Sequence, residues 1–314
     1  MLITRIFTVL FPIFAIVTVG YLYARLRHVE MTTTNRLNME IFSPALLFSV
    51  LSDTSFNIMD YQQLALATLL ILLGSGAIIL PVVRLLNINI KTFAPAMMFV
   101  NTGNMGIPVA LFAFGESGLP AAMVFFMITA ILTFTLGIYI VNQQASWNNL
   151  LKMPLIHAAL FGLIINFTPI EVPELVQTPI EMLAACAIPL MLLSLGIRLS
   201  EMDLKHWQIG LLGAIMRPLS GAIMFLLIRP WFTLTPLQAN GLLIFAMLPP
   251  AVVNYIIAEQ YQQEPHKVAA IVMLGNVMSF ISLPIALAFC FAIERRMWTS
   301  TVHLYSKCSR FRMK

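Results

Sequence analysis

Residues Asn101-Thr102-Gly103-Asn104-Met105-Gly106-Ile107-Pro108 interrupt a stretch that is otherwise apolar from Phe93 to Phe114. Two asparagines, two glycines and a proline do not suit the middle of a plain membrane helix. In hydrocarbon each unpaired backbone group costs several kcal/mol, so broken backbone persists there only beside protein or a water-filled cavity. A second interruption, Leu248-Pro249-Pro250-Ala251-Val252-Val253-Asn254, lies far downstream. Two interrupted helices in corresponding halves of a membrane chain point to a substrate site of a transporter.

The surrounding composition supports a membrane setting. Of 314 residues, 60% are hydrophobic and 10% charged, and mean hydropathy is +0.89. A soluble domain carries roughly 25% charged residues, so the chain reads as one all-α polytopic membrane domain over residues 1–292. Apolar runs of spanning length or nearly so fall at 6–26, 36–51, 64–86, 93–114, 119–142, 154–168, 179–198, 207–229, 237–259 and 268–292. No small-residue cleavage site precedes Arg25, so the first run is expected to be a retained helix.

Net charge is +5 and the pI about 9.3. The cations sit in short loops, which sets membrane orientation and does not form the clustered basic face that nucleic acid requires. With the N-terminus outside, Arg25, Arg27, Arg36, Arg84, Lys91, Lys152, Arg198, Lys205 and Lys267 fall inside, against only Arg5 and Arg229 outside. The basic tail, 293–314, runs against that bias. Cys186, Cys290 and Cys308 show no metal-binding spacing, and no HExxH, GxSxG or paired-aspartate motif suggests an intramembrane enzyme. The sequence calls for no metal or cofactor.

Internal spacing suggests duplication. Pro12 and Gly20 are repeated by Pro154 and Gly162, Pro44 and Ser49 by Pro189 and Ser194, and Pro108 is matched by Asn254. These offsets divide the chain into repeat one (1–142), a short linker (143–153) and repeat two (154–292). Five helices per unit force the second copy to insert upside down, giving ten helices as two inverted repeats.

Proline is tolerated in the first turn of a helix, because that N–H lacks a partner anyway. Pro108 and Pro249/Pro250 are therefore expected to open the second halves of the fourth and ninth helices. Two helix N-termini, each with roughly half a positive charge and free N–H donors, would then meet near the bilayer centre and bind an anion. Asn101, Thr102, Asn104 and Asn254 would add side-chain donors and acceptors without a charge's desolvation cost, and Gly106 close approach. The competing reading is a pair of kinks whose amides satisfy freed carbonyls. Arg217, beside Pro218 in the eighth span, is either a countercharge for an anion or a partner of the carbonyls that Pro218 loosens. Glu40 stands four residues after Arg36, the spacing of a surface ion pair.

The NTGNMGIP, LPPAVVNYIIAEQY, SPALLF and IPLMLLSLG stretches together resemble the auxin efflux carrier family, which includes the plant PIN exporters and shorter bacterial homologues. The resemblance covers about residues 1–292. It implies ten helices with the fourth and ninth crossing at their proline breaks, elevator-type alternating access, and an organic-anion substrate. Asn101 and Pro108 fall on the family's fourth-helix motif, Pro249 and Asn254 on its ninth, and Ser49 and Ser194 after the prolines of the second and seventh. A homodimer is compatible with the family. The expectation is a secondary transporter of a small organic anion, foremost a carboxylate, in the bacterial inner membrane. The alternatives are a sodium- or proton-coupled symporter of the same architecture and a transporter-like sensor. Neither interruption contains Asp or Glu, which leaves coupling open.

Overall fold

The computed structural model describes residues 2–27, 29–53, 56–143, 151–168, 172–200 and 205–311, with side chains through residue 292. Most of the 143–153 linker and the last three residues of the tail lie outside the described residues. The first repeat gives α1 (Leu2–Leu26), α2 (32–52), α3 (Ile58–Leu85), α4 (Ile90–Met98), α5 (Thr102–Phe114) and α6 (Glu116–Asn142). The second gives α7 (Pro154–Phe167), α8 (Glu174–Ser200), α9 (Trp207–Trp231), α10 (Pro236–Ala246), α11 (Val253–Gln260) and α12 (Pro265–Phe311).

Leu2–Leu26, Ile58–Leu85, Glu116–Asn142, Glu174–Ser200, Trp207–Trp231 and Pro265–Ala292 are each long and apolar enough to cross a membrane. The shorter apolar helices include both interrupted stretches and α7. Large side chains such as Phe7, Phe11, Phe161, Leu226 and Phe289 stand exposed on the outer faces, as a surface solvated by lipid requires.

Local chemistry explains several boundaries. Asn89 caps α4 by accepting from the Lys91 N–H, and Thr235 with Gln238 forms a full capping box on α10. Gly115 ends α5 at φ +68°, a left-handed conformation that favours glycine. Wide π-turns precede two prolines: Asn38–Phe42 ahead of Pro44, and Thr102–Gly106 ahead of Pro108. A proline ring clashes with the carbonyl four residues back, and a widened turn relieves that contact without ending the helix.

The helices pack in two groups. In one, α1 lies along α8, and α7 and α8 both pack on α2. In the other, α9 packs on α12 and α3, and α3 on α4 and α6. Gly20 of α1 and Gly196 of α8 let these two helices cross closely, since a Cβ at either would strike main chain, the Leu193 or the Val17 carbonyl respectively.

Candidate functional site

The chain leaves α4 at Phe99 (φ −94°, ψ 107°) and runs extended to Val100, after which Asn101 (φ −77°, ψ 64°) turns it into α5. There it meets the extended stretch after α10, and Val100 pairs with Pro250 in an antiparallel bridge. The Asn101 N–H donates to the Pro249 carbonyl at 2.8 Å, and the Ala251 N–H to the Phe99 carbonyl at 2.9 Å. Val100 and Pro250 are thus the non-hydrogen-bonded pair of the ladder, where the missing proline N–H costs nothing. Each interrupted helix satisfies backbone groups that the other has freed, as low-dielectric surroundings demand.

Three asparagines lock the crossing, and all are buried. Asn254 Nδ2 donates to the carbonyls of Phe99 (2.8 Å) and Ala251 (3.0 Å). Asn101 Nδ2 donates to Asn276 Oδ1 at 2.9 Å. Asn276 Nδ2 in turn donates to the carbonyls of Pro250 (3.1 Å) and Val272 (2.8 Å). Gly275 leaves room for the Pro250 ring, which a Cβ there would strike. Asn276 was not among the residues expected from the motifs; its signal was an amide inside the apolar run of α12.

The prolines sit differently from the sequence expectation. Pro108 stands in the first turn of the α-helical stretch Ile107–Phe114, but a π-turn over Thr102–Gly106 precedes it, so the helical run begins six residues earlier with Asn101 at the cap. Pro249 and Pro250 lie in the extended crossing, and α11 begins only at Val253. Ladder geometry, not a first-turn preference, decides their place.

The two helix N-termini at the crossing also differ. In α11 the Asn254 and Tyr255 N–H groups are already bonded, to the carbonyls of Ala251 and Val252. At α5, Thr102 donates to Val100, and Gly106 to Asn101 across the π-turn. Asn101 makes no side-chain cap. Among the described residues, the N–H groups of Gly103 and Asn104 have no acceptor. The half-buried Asn104 side chain is likewise without a hydrogen-bond partner there. This leaves adjacent main-chain donors and one amide aimed from a helix N-terminus, the arrangement that holds an anion. The π-turn packs against α8, so this donor set lies where the two helix groups meet.

The flanks of the crossing are unequal. Thr102, Gly106 and Leu248 line an apolar cavity of about 10 Å³ that extends toward the start of α10, room for about one water. At the opposite end a cavity of about 810 Å³ opens between α11 and the α1–α2–α7–α8 group, lined by Asn35, Arg36, Lys152, Arg198, Tyr255 and Glu259. Tyr255, the neighbour of Asn254, brings that wall to the edge of the crossing. Arg36 and Glu40 on its rim pair at 3.0 Å, as their spacing predicts.

Ser194 is buried and donates to Asn35 Oδ1 at 2.5 Å. Ser49 is half-buried farther along α2. Arg217 does not pair with the carbonyls that Pro218 loosens: its guanidinium is fully buried, and no nitrogen has a hydrogen-bond partner among the described residues.

Residues 142–287 match the family model described as membrane transport protein. That agrees with the resemblance seen in its motifs, and the matched residues hold Ser194, Arg217, Pro249 to Asn254 and Asn276. An uncharacterized transporter of Methanocaldococcus jannaschii is 22% identical, covering 85% of this chain and 92% of that protein. An uncharacterized transporter of Methanothermobacter thermautotrophicus is 26% identical over 62% of this chain and 65% of that protein. A Rhizobium meliloti protein named "Putative malonate transporter" is 24% identical, over 85% of this chain and 90% of that protein. The matched segment is set in a chain of multiple apolar helices, as a membrane transporter requires.

Proposed function

We propose that this membrane transporter carries a small organic anion, a carboxylate, through the bacterial inner membrane by elevator-type alternating access. The observation that carries the reading is the unpaired donor set at the start of α5. Gly103 and Asn104 offer N–H groups with no acceptor among the described residues, and helix N-termini favour negative charge. A dicarboxylate suits the site: one carboxylate on the Gly103 and Asn104 N–H groups, the other reaching the Asn104 amide. The malonate in the name of the Rhizobium relative supports the same class.

The inverted five-plus-five repeat has support in the packing. Gly20 of α1 packs on α8, and its repeat mate Gly162 of α7 packs on α2, with Phe48 and Leu51. The two contacts exchange partners as an inverted duplication requires. The packing also suggests which parts move. The α1–α2–α7–α8 group draws helices from both repeats, so the sliding boundary separates packing groups and not repeats. The large cavity opens along that boundary on the side where Arg36, Lys152 and Arg198 gather, which is the inner side with the N-terminus outside. The opposite side is nearly filled. This is the arrangement of an inward-open state.

Purified full chain in proteoliposomes should take up labelled malonate, and unlabelled short dicarboxylates should compete while malonamide should not. Asn104→Ala should lose uptake without losing thermal stability. Uptake by Asn104→Ala equal to that of the unaltered protein would exclude this site.

A further inference from the structure

Arg217 lies near the middle of α9, too far from either end for its side chain to reach an interface. It is 0% exposed, and Nε, Nη1 and Nη2 have no hydrogen-bond partner among the described residues. A central arginine costs about 2.5–3.5 kcal/mol on insertion scales, so its surroundings should supply a compensating field. Gly221, one turn on, shows where that field comes from. A Cβ at Gly221 would stand 2.6 Å from Arg217 Nη1 and would strike the Ala246 carbonyl oxygen. The guanidinium and that carbonyl thus share the space over Gly221.

Ala246 is the last residue of α10, so its carbonyl marks the negative end of a half-helix. The prolines of the crossing make that end more negative than an ordinary helix terminus. The carbonyls of Phe245 and Ala246 would normally accept from the N–H groups four residues on, at Pro249 and Pro250, which have none. Phe245 recovers a bond from the Leu248 N–H, and among the described residues Ala246 takes no main-chain bond. In transporters built on discontinuous helices, such carbonyl ends coordinate the coupling cation. Neither interruption of this chain carries Asp or Glu to complete a cation site.

We infer that Arg217 is a built-in cation, held at the carbonyl end of α10 in the place that a monovalent coupling cation would otherwise take. Transport then needs no sodium. The guanidinium neutralises the negative end of one half-helix while the N-terminus of α5 receives the anion, and Arg217 holds the crossing without touching substrate. The inference rests on the transport reading only for its flux measurement.

In proteoliposomes, replacing sodium by choline on both sides should leave malonate flux by the unaltered protein unchanged. A flux that requires sodium overturns the inference without any variant. Arg217→Ala should lower flux about tenfold or more, since a buried half-helix end loses its counter-charge, and Arg217→Lys should retain most of it. Added guanidinium or sodium should then raise the thermal stability of Arg217→Ala and leave that of the unaltered protein alone. Recovery of folding by Arg217→Ala only when guanidinium is present supports the inference equally. Arg217→Ala insensitive to both cations overturns it. These stability measurements stand even if malonate is not the substrate, which separates failure of this inference from failure of the transport reading.

Discussion

Replacing Asn276 by alanine should destabilise the protein by removing the hub of the crossing. Asn276 Oδ1 is the acceptor for Asn101 Nδ2, and Asn276 Nδ2 donates to the Pro250 carbonyl. Both partners are buried, and alanine leaves both unpaired. Each orphaned buried polar group costs about 1–3 kcal/mol, so the total is about 2–6 kcal/mol. The bond to Val272 counts for little, because that carbonyl lies within a regular helix. At roughly 2–4 °C per kcal/mol for chains of this order of size, the melting temperature should fall by about 4–24 °C. Unmasking of the buried Cys290 thiol by a fluorogenic maleimide, with Cys186→Ser and Cys308→Ser, reports the transition. Asn104→Ala supplies the contrast: its side chain has no hydrogen bond to lose, so stability should hold while transport fails. A melting temperature for Asn276→Ala within about 2 °C of the unaltered protein would refute the reasoning, because orphaning even one buried group costs more.

Three further outcomes follow from the packing and the charges. Gly196→Ala places a Cβ against the Val17 carbonyl; main chain cannot swing aside, so stability should drop by about 1–3 kcal/mol, measurable as a lower melting temperature. Burial alone would raise the Glu264 carboxyl, but hydrogen bonds from Lys267 and from Thr92 (2.5 Å), with the nearby charges of Lys267 and His206, outweigh it and hold it below its ordinary value. That contribution is present above the unfolded carboxylate value and is lost as pH falls through the lowered folded value. Melting temperatures of the unaltered protein and Glu264→Gln should therefore differ at neutral pH and converge in acid. Glu40→Gln breaks only the exposed pair with Arg36, so its melting temperature should change by less than about 1 kcal/mol implies.

Hydropathy marked where the helices lie, because lipid-facing and core-facing surfaces are both apolar and the polar loops punctuate them. The two interruptions were equally legible, since Asn, Gly and Pro together have no comfortable place in a spanning helix. What the residues could not show was who partners whom. A proline at a helix start and a proline in a non-hydrogen-bonded ladder position look alike in one dimension, and Pro249 and Pro250 proved to be of the second kind. The asparagines divided in the same way. Asn101 and Asn254 direct their Nδ2 groups to the crossing itself, with Asn276 as an unforeseen third member, and only Asn104 is left facing outward from the turn. Their separation in sequence, 175 positions between Asn101 and Asn276, hides a contact that only packing creates. Arg217 was noticed for its burial cost, but its position at the end of α10 depends on Gly221, an ordinary residue in the sequence.

The central claim is that an anion is held by the Gly103 and Asn104 N–H groups. Gly103→Pro removes one of those donors at a first-turn position where proline is tolerated, while Gly103→Ala keeps the N–H and brings its Cβ only to 3.3 Å from the Phe126 ring edge. Equilibrium binding of malonate to the three purified proteins tests the claim most directly. Losing one charge-assisted hydrogen bond of about 1.5–3 kcal/mol should weaken binding by Gly103→Pro roughly ten- to hundredfold, with Gly103→Ala close to the unaltered protein. Equal affinity in Gly103→Pro and Gly103→Ala would contradict the account.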